Sequence, residues 1–227
     1  MSYEYEINDL AKEESWRMFR IIGELVEGFD RLSGVEPAVS IYGSARIRPD
    51  DELYKQTEEI AQRLGERGFS IITGGGPGVM EAANRGALKA GAASVGLNIE
   101  LPEEQIPNAY TTKSITFNHF FVRKVMLVKY ATAFIMMPGG LGTLDELTEI
   151  LTLMQTHKIR PFPVVLFNSN YWKGFLDWLR VSVLAGEFIS EKDFSLLRVC
   201  DETDDVIRTV CQWYEKQEIV GRKAISR

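Results

Sequence analysis

The sequence has few cysteines and no long apolar run. Its two cysteines, Cys200 and Cys211, do not form a Cys-x-x-Cys pair, so neither a disulfide framework nor a zinc cluster is indicated. No stretch reaches the roughly 18 apolar residues of a membrane-spanning helix. The first residues, "MSYEYEINDLAKEESW", are acidic and polar and lack the basic and apolar regions of a secretory signal. These absences favour a cytoplasmic protein.

The chain also has no excess of positive charge. The formal net charge is −6 at pH 7, which argues against a nucleic-acid partner held by bulk charge. Hydrophobic residues make up 45% of the 227 residues, enough for a sizeable core in one domain of ordinary size. We therefore expect a globular protein with a small-molecule ligand, and neither a nucleic acid nor a membrane as partner.

Short apolar segments alternate with amphipathic ones through most of the chain. Five segments are predicted to be strands: "AVSIYGSAR", "FSIITGGG", "ASVGLNIE", "TAFIMMP" and "FPVVLFN". Helices are predicted between them and around residues 173–186 and 203–217, whereas "LPEEQIPNAYTTKSITF" is predicted to be irregular. This alternation is typical of an α/β fold, with a doubly wound, mainly parallel sheet covered by helices on both faces.

A further helix is predicted ahead of the first strand. Residues 9–32 carry apolar side chains near helical spacing: Leu10, Trp16, Phe19, Ile22, Leu25, Val26 and Phe29. Such a helix must pack either on its own domain or on a partner subunit, and Gly34 and Pro37 are expected to end it. We therefore predict an N-terminal helical extension over residues 1–36 and one α/β domain over residues 37–227.

Three glycine-rich turns are predicted, each between the end of a strand and the start of a helix. They are Gly43–Arg46, Gly74–Gly78 and Gly139–Thr143. Glycine leaves room for an anion to approach backbone N–H groups, and a helix N-terminus adds unpaired donors. In a doubly wound sheet these turns share one edge, which favours a phosphate site over the alternative that all three are merely tight strand-to-helix turns. The P-loop and dinucleotide fingerprints are both absent.

Glu146 follows the third turn and allows two interpretations. Thr143 and Glu146 have the spacing of a capping box, in which the threonine caps the helix and the glutamate reaches back. Alternatively, a carboxylate in the first helical turn would face the ligand crevice. There it could stabilise an oxocarbenium-like centre or orient a water molecule. The spacing alone leaves both possibilities open.

A basic pair precedes the fourth predicted strand, in the segment "FNHFFVRKV". Arg123 and Lys124 could form an exposed basic face, although their apolar neighbours disfavour full exposure. His119 lies four residues before Arg123 and would share its side of a helix. His119 is either a ligand contact or a structural histidine.

Four motifs in this order resemble the LOG family. That family comprises cytokinin-activating phosphoribohydrolases and their bacterial relatives, long labelled lysine decarboxylases. The segment "PGGLGTLDE" (138–146) matches the family motif PGGxGTxxE, and "GGGPGVMEAANRGA" (74–87) matches the second glycine-rich motif. "RK" (123–124) and "YGSAR" (42–46) match the basic pair and the first glycine–serine turn. The resemblance spans roughly residues 38–180.

The resemblance implies a Rossmann-like homodimer that hydrolyses the N-glycosidic bond of a nucleoside 5'-monophosphate, without cofactor or metal. The products would be the free base and ribose 5-phosphate. Arg123 and Glu146 would be the catalytic pair. The residues implied to bind phosphate or ribose are Gly139, Gly140, Gly142, Thr143, Gly75, Gly76, Glu81 and Ser44. His119 and Lys124 would belong to the base pocket.

The chain departs from the plant enzymes at the base pocket. It has "NHFFVRK" where they carry a methionine-histidine-glutamate-arginine-lysine stretch, so AMP, N6-modified AMP and other monophosphates all stay open as substrates. The role of Arg123 is also open, since it could orient Glu146 or bind the phosphate.

Three other functions remain as alternatives. One is a non-catalytic carrier of a nucleotide or of molybdenum cofactor. Another is a decarboxylase, which would need pyridoxal phosphate on a lysine. The third is a regulatory role for the leading helix.

Overall fold

The structure is a computed structural model that describes residues 14–101 and 106–225. Its elements, in chain order, are α1 (Glu14–Arg31), β1 (Ala38–Tyr42), α2 (Glu52–Gly65), β2 (Ser70–Thr73), α3 (Val79–Lys89), β3 (Ser94–Ile99), β4 (Lys113–Phe117), α4 (Phe120–Lys129), β5 (Ala131–Met136), α5 (Leu141–Gln155), β6 (Val164–Phe167), α6 (Ser169–Trp178), a π-helical turn (Leu179–Leu184), α7 (Glu191–Phe194), β7 (Leu197–Cys200) and α8 (Thr203–Ile225).

The strands form one parallel sheet in the order β4-β3-β2-β1-β5-β6-β7. The chain moves outward from β1 in one direction through β4 and then returns to the other side of β1 with β5. β1 and β5 are in register at their carboxyl ends, where Tyr42 lies opposite Met136. Their junction is the switch point at which a doubly wound sheet opens a ligand crevice. The predicted Rossmann-like α/β fold is confirmed.

Two of the seven strands were not predicted, and both lie at the edges of the sheet. β4 falls inside the segment predicted to be irregular, and β7 lies between the last two predicted helices. In β4 only Ile115 and Phe117 are buried, and in β7 only Leu197 and Cys200. Edge strands bury fewer side chains than central parallel strands, so they lack the continuous apolar run that marked the other five.

The sheet separates two apolar cores, and β1 contributes to both. Ala38 and Tyr42 join one core, while Val39 and Ile41 join the other, as the two-residue period of a strand requires. The first core lies beneath α4, α5 and α6, through Met126, Ile150 and Trp172 among others. The second lies beneath α2, α3 and α8, through Ile60, Ala83 and Val206 among others.

The leading helix α1 packs on the first core. Ile21 and Leu25 lie against that core, and Gly28 lies close against Met126 of α4. The helix was predicted over residues 9–32, of which 9–13 lie outside the described residues. The division of the chain after residue 36 stays a prediction. Within residues 14–101 and 106–225, none of the helices has both the length and the apolar character needed to cross a bilayer.

Candidate active site

A cavity of about 650 Å³ lies at the switch point. Its wall includes residues of all three glycine turns, from Gly43–Arg46, Gly74 and Gly140–Thr143, so the turns meet at one edge of the sheet as expected. Its polar side chains are Ser44, Arg46, Arg123, Thr143, Asp145 and Glu146. Its apolar side chains are Ile41, Met80, Ile99, Leu101, Phe120, Leu127 and Leu141, with Tyr42 beside them. The cavity is therefore lined by both polar and apolar side chains.

The third glycine turn presents the start of α5 to this cavity. The amides of Thr143 and Leu144 both donate to the carbonyl of Gly140, at 3.0 and 3.1 Å. Leu141 and Gly142 precede these first helical hydrogen bonds, so their N–H groups belong to the unpaired first turn. No side chain caps this end, because the N-cap residue is Gly140. Unpaired amides and the helix dipole together favour an anion.

Close packing holds the third turn against the first. The Ser44 amide donates to the Pro138 carbonyl at 3.0 Å, and the Tyr171 hydroxyl donates to the Gly139 carbonyl. A Cβ on Gly139 would collide with the Thr143 side chain and the Ser44 amide, whereas one on Gly140 would meet open space. Glycine is therefore required at position 139 by the close approach of the two turns.

The capping-box interpretation of Thr143 and Glu146 is wrong. α5 begins at Leu141, so Thr143 is the third helical residue and not the cap, and Glu146 lies in the second turn. Both side chains are nonetheless buried, since three residues along a helix return to the same face. Their spacing directs both toward the cavity.

Glu146 is a buried carboxyl group with an unusual protonation equilibrium. Only 8% of the residue is exposed, and its Oε2 atom has no hydrogen-bond partner among the described residues. Burial raises the pKa of Glu146 from 4.5 to about 7, against the lowering effect of Lys124 and Arg123, while Glu149 and Asp145 raise it further. A carboxyl group with a pKa near 7 exchanges its proton readily at neutral pH, which is the property of a general acid or base.

Arg123 projects from α4 into the same cavity. Its Nε donates to the Leu97 carbonyl at 2.7 Å and its Nη2 to the Gly74 carbonyl at 3.3 Å. Burial lowers the pKa of Arg123, and the charge of Glu146 counteracts this. The exposed basic face considered above is thus not formed by Arg123. Its backbone contacts leave further guanidinium N–H groups for a ligand.

Lys124 of α4 is not among the residues that line the cavity, but its positive charge lowers the pKa of Glu146. Its Nζ is 2.9 Å from both Asp145 Oδ2 and Glu149 Oε2. Burial opposes its charge, but these two carboxylates outweigh burial and raise the pKa of Lys124. Lys124 thus neutralises the acids that flank Glu146 on α5. Its predicted place in a base pocket stays a prediction.

His119 is likewise not among the residues that line the cavity. It is the N-cap residue of α4, and its Nδ1 lies 3.1 Å from Glu24 Oε1 of α1. This contact favours the structural interpretation of His119, and the base-pocket role stays a prediction.

Three other predicted ligand residues are not among those that line the cavity. Asn108 Nδ2 donates to the carbonyls of Gly75 and Gly76, at 3.0 Å each, and so anchors the second glycine turn. Glu81 accepts a hydrogen bond of 2.9 Å from the Tyr54 hydroxyl. From this turn only Gly74 lines the cavity. Ligand contacts by Gly75, Gly76 and Glu81 therefore stay predictions.

Several residues of the wall were not singled out from the sequence. Tyr42 and Arg46 belong to the "YGSAR" segment, and their places at the end of the central strand could have been inferred from that motif. Met80, Ile99 and Phe120 are apolar and carry no chemical signal of a site. Among the described residues, no cluster of three or more potential metal ligands was found.

Known proteins are similar to this chain over much of its length. A family model described as "possible lysine decarboxylase" matches residues 80–210, more than half of the chain. The cytokinin riboside 5'-monophosphate phosphoribohydrolase LOG of Oryza sativa subsp. japonica is 32% identical over 139 residues, covering 59% of this chain and 55% of the rice protein. An enzyme of the same name from Mycobacterium tuberculosis is 28% identical over 162 residues, covering 69% and 84%. The chain thus spans about half of the rice relative and most of the bacterial one.

Solved structures share the fold at lower identity. The molybdenum cofactor carrier protein of Chlamydomonas reinhardtii matches with a TM-score of 0.57 at 21% identity, over 79% of this chain and 98% of the carrier. The molybdenum cofactor binding protein of Rippkaea orientalis matches with a TM-score of 0.56 at 22% identity, over 82% and 99%. These likenesses show the fold alone.

Proposed function

Since the chain belongs to the LOG family, the family of the matched model, we propose that it hydrolyses the N-glycosidic bond of nucleoside 5'-monophosphates to a free base and ribose 5-phosphate. The observation that carries the proposal is the meeting of Glu146, with its pKa of about 7, and Arg123 in a cavity that contains an uncapped helix N-terminus. The curated relatives with phosphoribohydrolase names support this reaction. We assign it to residues 37–227 of a cytoplasmic protein.

The substrate phosphate binds at the start of α5. The N–H groups of Leu141 and Gly142, the Thr143 side chain and the neighbouring Ser44 form a cradle suited to an anion. Arg46 adds a positive charge at the same wall. Binding this remote group positions the reacting centre, so a nucleoside without phosphate should react poorly.

The ribose lies between the phosphate cradle and Glu146. As the bond between C1' and the base nitrogen breaks, positive charge develops on the ribose, and the ionised Glu146 stabilises it. Glu146 can also accept a proton from the water whose oxygen attacks C1'. The base leaves with the bonding electron pair and takes up the proton that Glu146 received from the water, so that the carboxylate is regenerated. The positive charge of Arg123 lowers the pKa of Glu146, so that a fraction of the carboxyl groups is ionised. Arg123 can also contact the ribose phosphate.

The base lies against the apolar walls. Met80, Ile99 and Phe120 offer an apolar surface near Arg123 that suits a purine ring. AMP is the simplest substrate of this kind, and the wall also tolerates an apolar N6 substituent. The 650 Å³ cavity has room for a nucleotide.

Two alternatives receive less support. A carrier of nucleotide or molybdenum cofactor would use the same fold, but it would not need a carboxyl group that titrates near neutrality. A pyridoxal-phosphate decarboxylase would need a lysine in the cavity, and none of the described residues that line it is a lysine. Lys124 is instead held by Asp145 and Glu149.

We also propose that the protein is a homodimer. The outer face of α1 exposes apolar side chains, as does the adjacent α4: Trp16, Met18, Phe19, Ile22, Val26, Phe29, Phe120, Phe121 and Val125. A patch of this kind on a folded chain is typical of an interface. Phe19→Glu, at a residue that is 67% exposed, should yield monomers by light scattering, whereas an unchanged dimer mass would contradict this assignment.

A panel of nucleotides tests the proposed reaction. Wild type and Glu146→Gln are incubated separately with AMP, GMP, CMP, UMP and isopentenyladenosine monophosphate, and free base is measured by chromatography. Wild type should release base from at least one of them, whereas Glu146→Gln should bind that nucleotide without releasing base. Equal release by both proteins would remove Glu146 from the reaction.

A further inference from the structure

One side chain of the leading helix connects it to the start of α4. Glu24 Oε1 accepts hydrogen bonds from the Asn118 amide at 3.2 Å and from the Asn118 side chain at 2.9 Å, and it lies 3.1 Å from His119 Nδ1. Glu24 Oε2 accepts from the His119 amide at 3.3 Å. Both carboxylate oxygens are therefore engaged by a segment more than 90 residues away in the sequence.

These contacts supply the cap that α4 lacks locally. The N-cap residue of α4 is His119, whose side chain makes no capping hydrogen bond, and the first turn contains no acidic residue. The amides before and at this position would otherwise lack acceptors. Glu24 provides the acceptors and places a negative charge at the positive end of the helix.

The contact is partly buried. The side chains of Glu24 and His119 are only 11% and 14% exposed. Burial alone would raise the pKa of Glu24, but the hydrogen bonds from Asn118 and His119 outweigh it and lower that pKa. The pair is thus a partly buried, charge-assisted contact and differs from the exposed pair of Arg31 with Glu27 on the surface of α1.

The capped turn leads directly to the site. The Arg123 amide donates to the His119 carbonyl at 3.2 Å, so Arg123 closes the first turn of the helix that Glu24 caps. Phe120, in the same turn, forms part of the cavity wall. We infer that Glu24 is a positioning residue: through Asn118 and His119 it holds the first turn of α4 so that Arg123 is presented to the substrate. The leading helix is then part of the support of the active site, an inference that rests on the proposed function.

The test compares Glu24→Ala and Glu24→Gln with wild type. The matched control is Glu27→Ala, which removes an exposed acid from the same helix. Hydrogen exchange of the amides at 118–123 reports the cap, and exchange in β5 reports the integrity of the fold. Glu24→Ala should speed exchange at 118–119 by about tenfold or more, ~1.4 kcal/mol, because hydrogen bonds to a charged acceptor contribute more than neutral ones. Glu27→Ala should leave it unchanged.

Turnover of the preferred nucleotide tests the positioning of Arg123. Glu24→Ala should lower kcat by roughly tenfold to a hundredfold and raise KM roughly severalfold, since a small misplacement of Arg123 costs rate and weakens its contact with the bound nucleotide. Glu24→Gln keeps an acceptor oxygen and should recover part of that loss. If wild type releases no base, the Kd for AMP replaces kcat as the readout.

The outcomes separate this inference from the proposed function. Unchanged exchange at 118–119 in Glu24→Ala would overturn the cap, whether or not the protein is a hydrolase. Faster exchange with unchanged kcat, or with an unchanged Kd for AMP when wild type is inactive, would overturn the positioning role. A wild type that releases no base would refute the proposed function while the exchange and binding arms still decide the role of Glu24.

Discussion

Replacing Glu146 with glutamine should stabilise the protein at alkaline pH while it abolishes turnover. The carboxyl group is buried, lacks a hydrogen-bond partner at Oε2 among the described residues, and has a pKa of about 7 instead of 4.5. A folded-state pKa above the unfolded value means that ionisation opposes folding. Glutamine has nearly the same shape and no charge, so it avoids that cost.

The size of the effect follows from the shift of the pKa. Each unit corresponds to about 1.4 kcal/mol, so a shift from 4.5 to about 7 corresponds to about 3 kcal/mol. The raised pKa of Glu146 contributes this free energy to the stability of wild type in full below pH 4.5. The contribution decreases as the pH rises and is lost above about pH 7. Relative to wild type, Glu146→Gln should therefore gain about 2 to 3 kcal/mol of unfolding free energy between pH 5 and pH 8.

Urea unfolding at pH 5, 6, 7 and 8 measures this difference. Glu66→Gln, which changes an exposed acid that is not among the residues lining the cavity, is the control and should show no gain with pH. The difference between Glu146→Gln and wild type should grow up to about pH 7 and then level off. A constant difference across this range would show that Glu146 ionises normally, and the argument from its burial would be wrong.

Three further perturbations follow from the same geometry. Arg123→Ala should lower turnover by at least ~10²-fold, the lower end for a positioned catalytic group, and a loss under threefold would remove Arg123 from the reaction. Gly139→Ala should weaken AMP binding by roughly tenfold or more, ~1.4 kcal/mol. Gly174→Ala, where a Cβ meets open space away from the residues that line the cavity, should bind as wild type does; calorimetry that finds equal losses would contradict the packing argument. Lys124→Met removes the cation that most lowers the pKa of Glu146, so that pKa should rise. The acid limb of the pH profile of kcat/KM should then move to higher pH, and an unmoved limb would refute this coupling.

Much of the site could be predicted because its signals are local. Glycines at strand ends and their fixed position on one sheet edge are enough to place Gly43, Gly74 and Gly140 together. The motif around Glu146 and the basic pair at Arg123 also indicated the two side chains that meet in the cavity.

The exact start of a helix was harder to predict. Thr143 and Glu146 have capping-box spacing, yet the N-cap residue is Gly140, three residues earlier than Thr143, where Gly139 packs closely against Ser44. That contact joins residues far apart in the sequence, so local spacing cannot show it.

Long-range contacts also determine the place of His119 and of the two edge strands in the fold. The bond between His119 and Glu24 joins residues 95 positions apart, and no periodicity indicates it. β4 and β7 follow from pairing with β3 and β6 rather than from their own composition. Predictions from local pattern were reliable for the centre of the sheet and weak at its edges.

The proposed reaction is tested most directly by its products and its need for phosphate. The protein is incubated with AMP and, separately, with adenosine, and adenine and ribose 5-phosphate are measured against time. We expect equal amounts of free base and ribose 5-phosphate from AMP, or from another 5'-monophosphate that replaces it, and no free base from the matching nucleoside. Base release that is independent of the phosphate would contradict the role of the α5 N-terminus, and no release from any monophosphate would contradict the hydrolase itself.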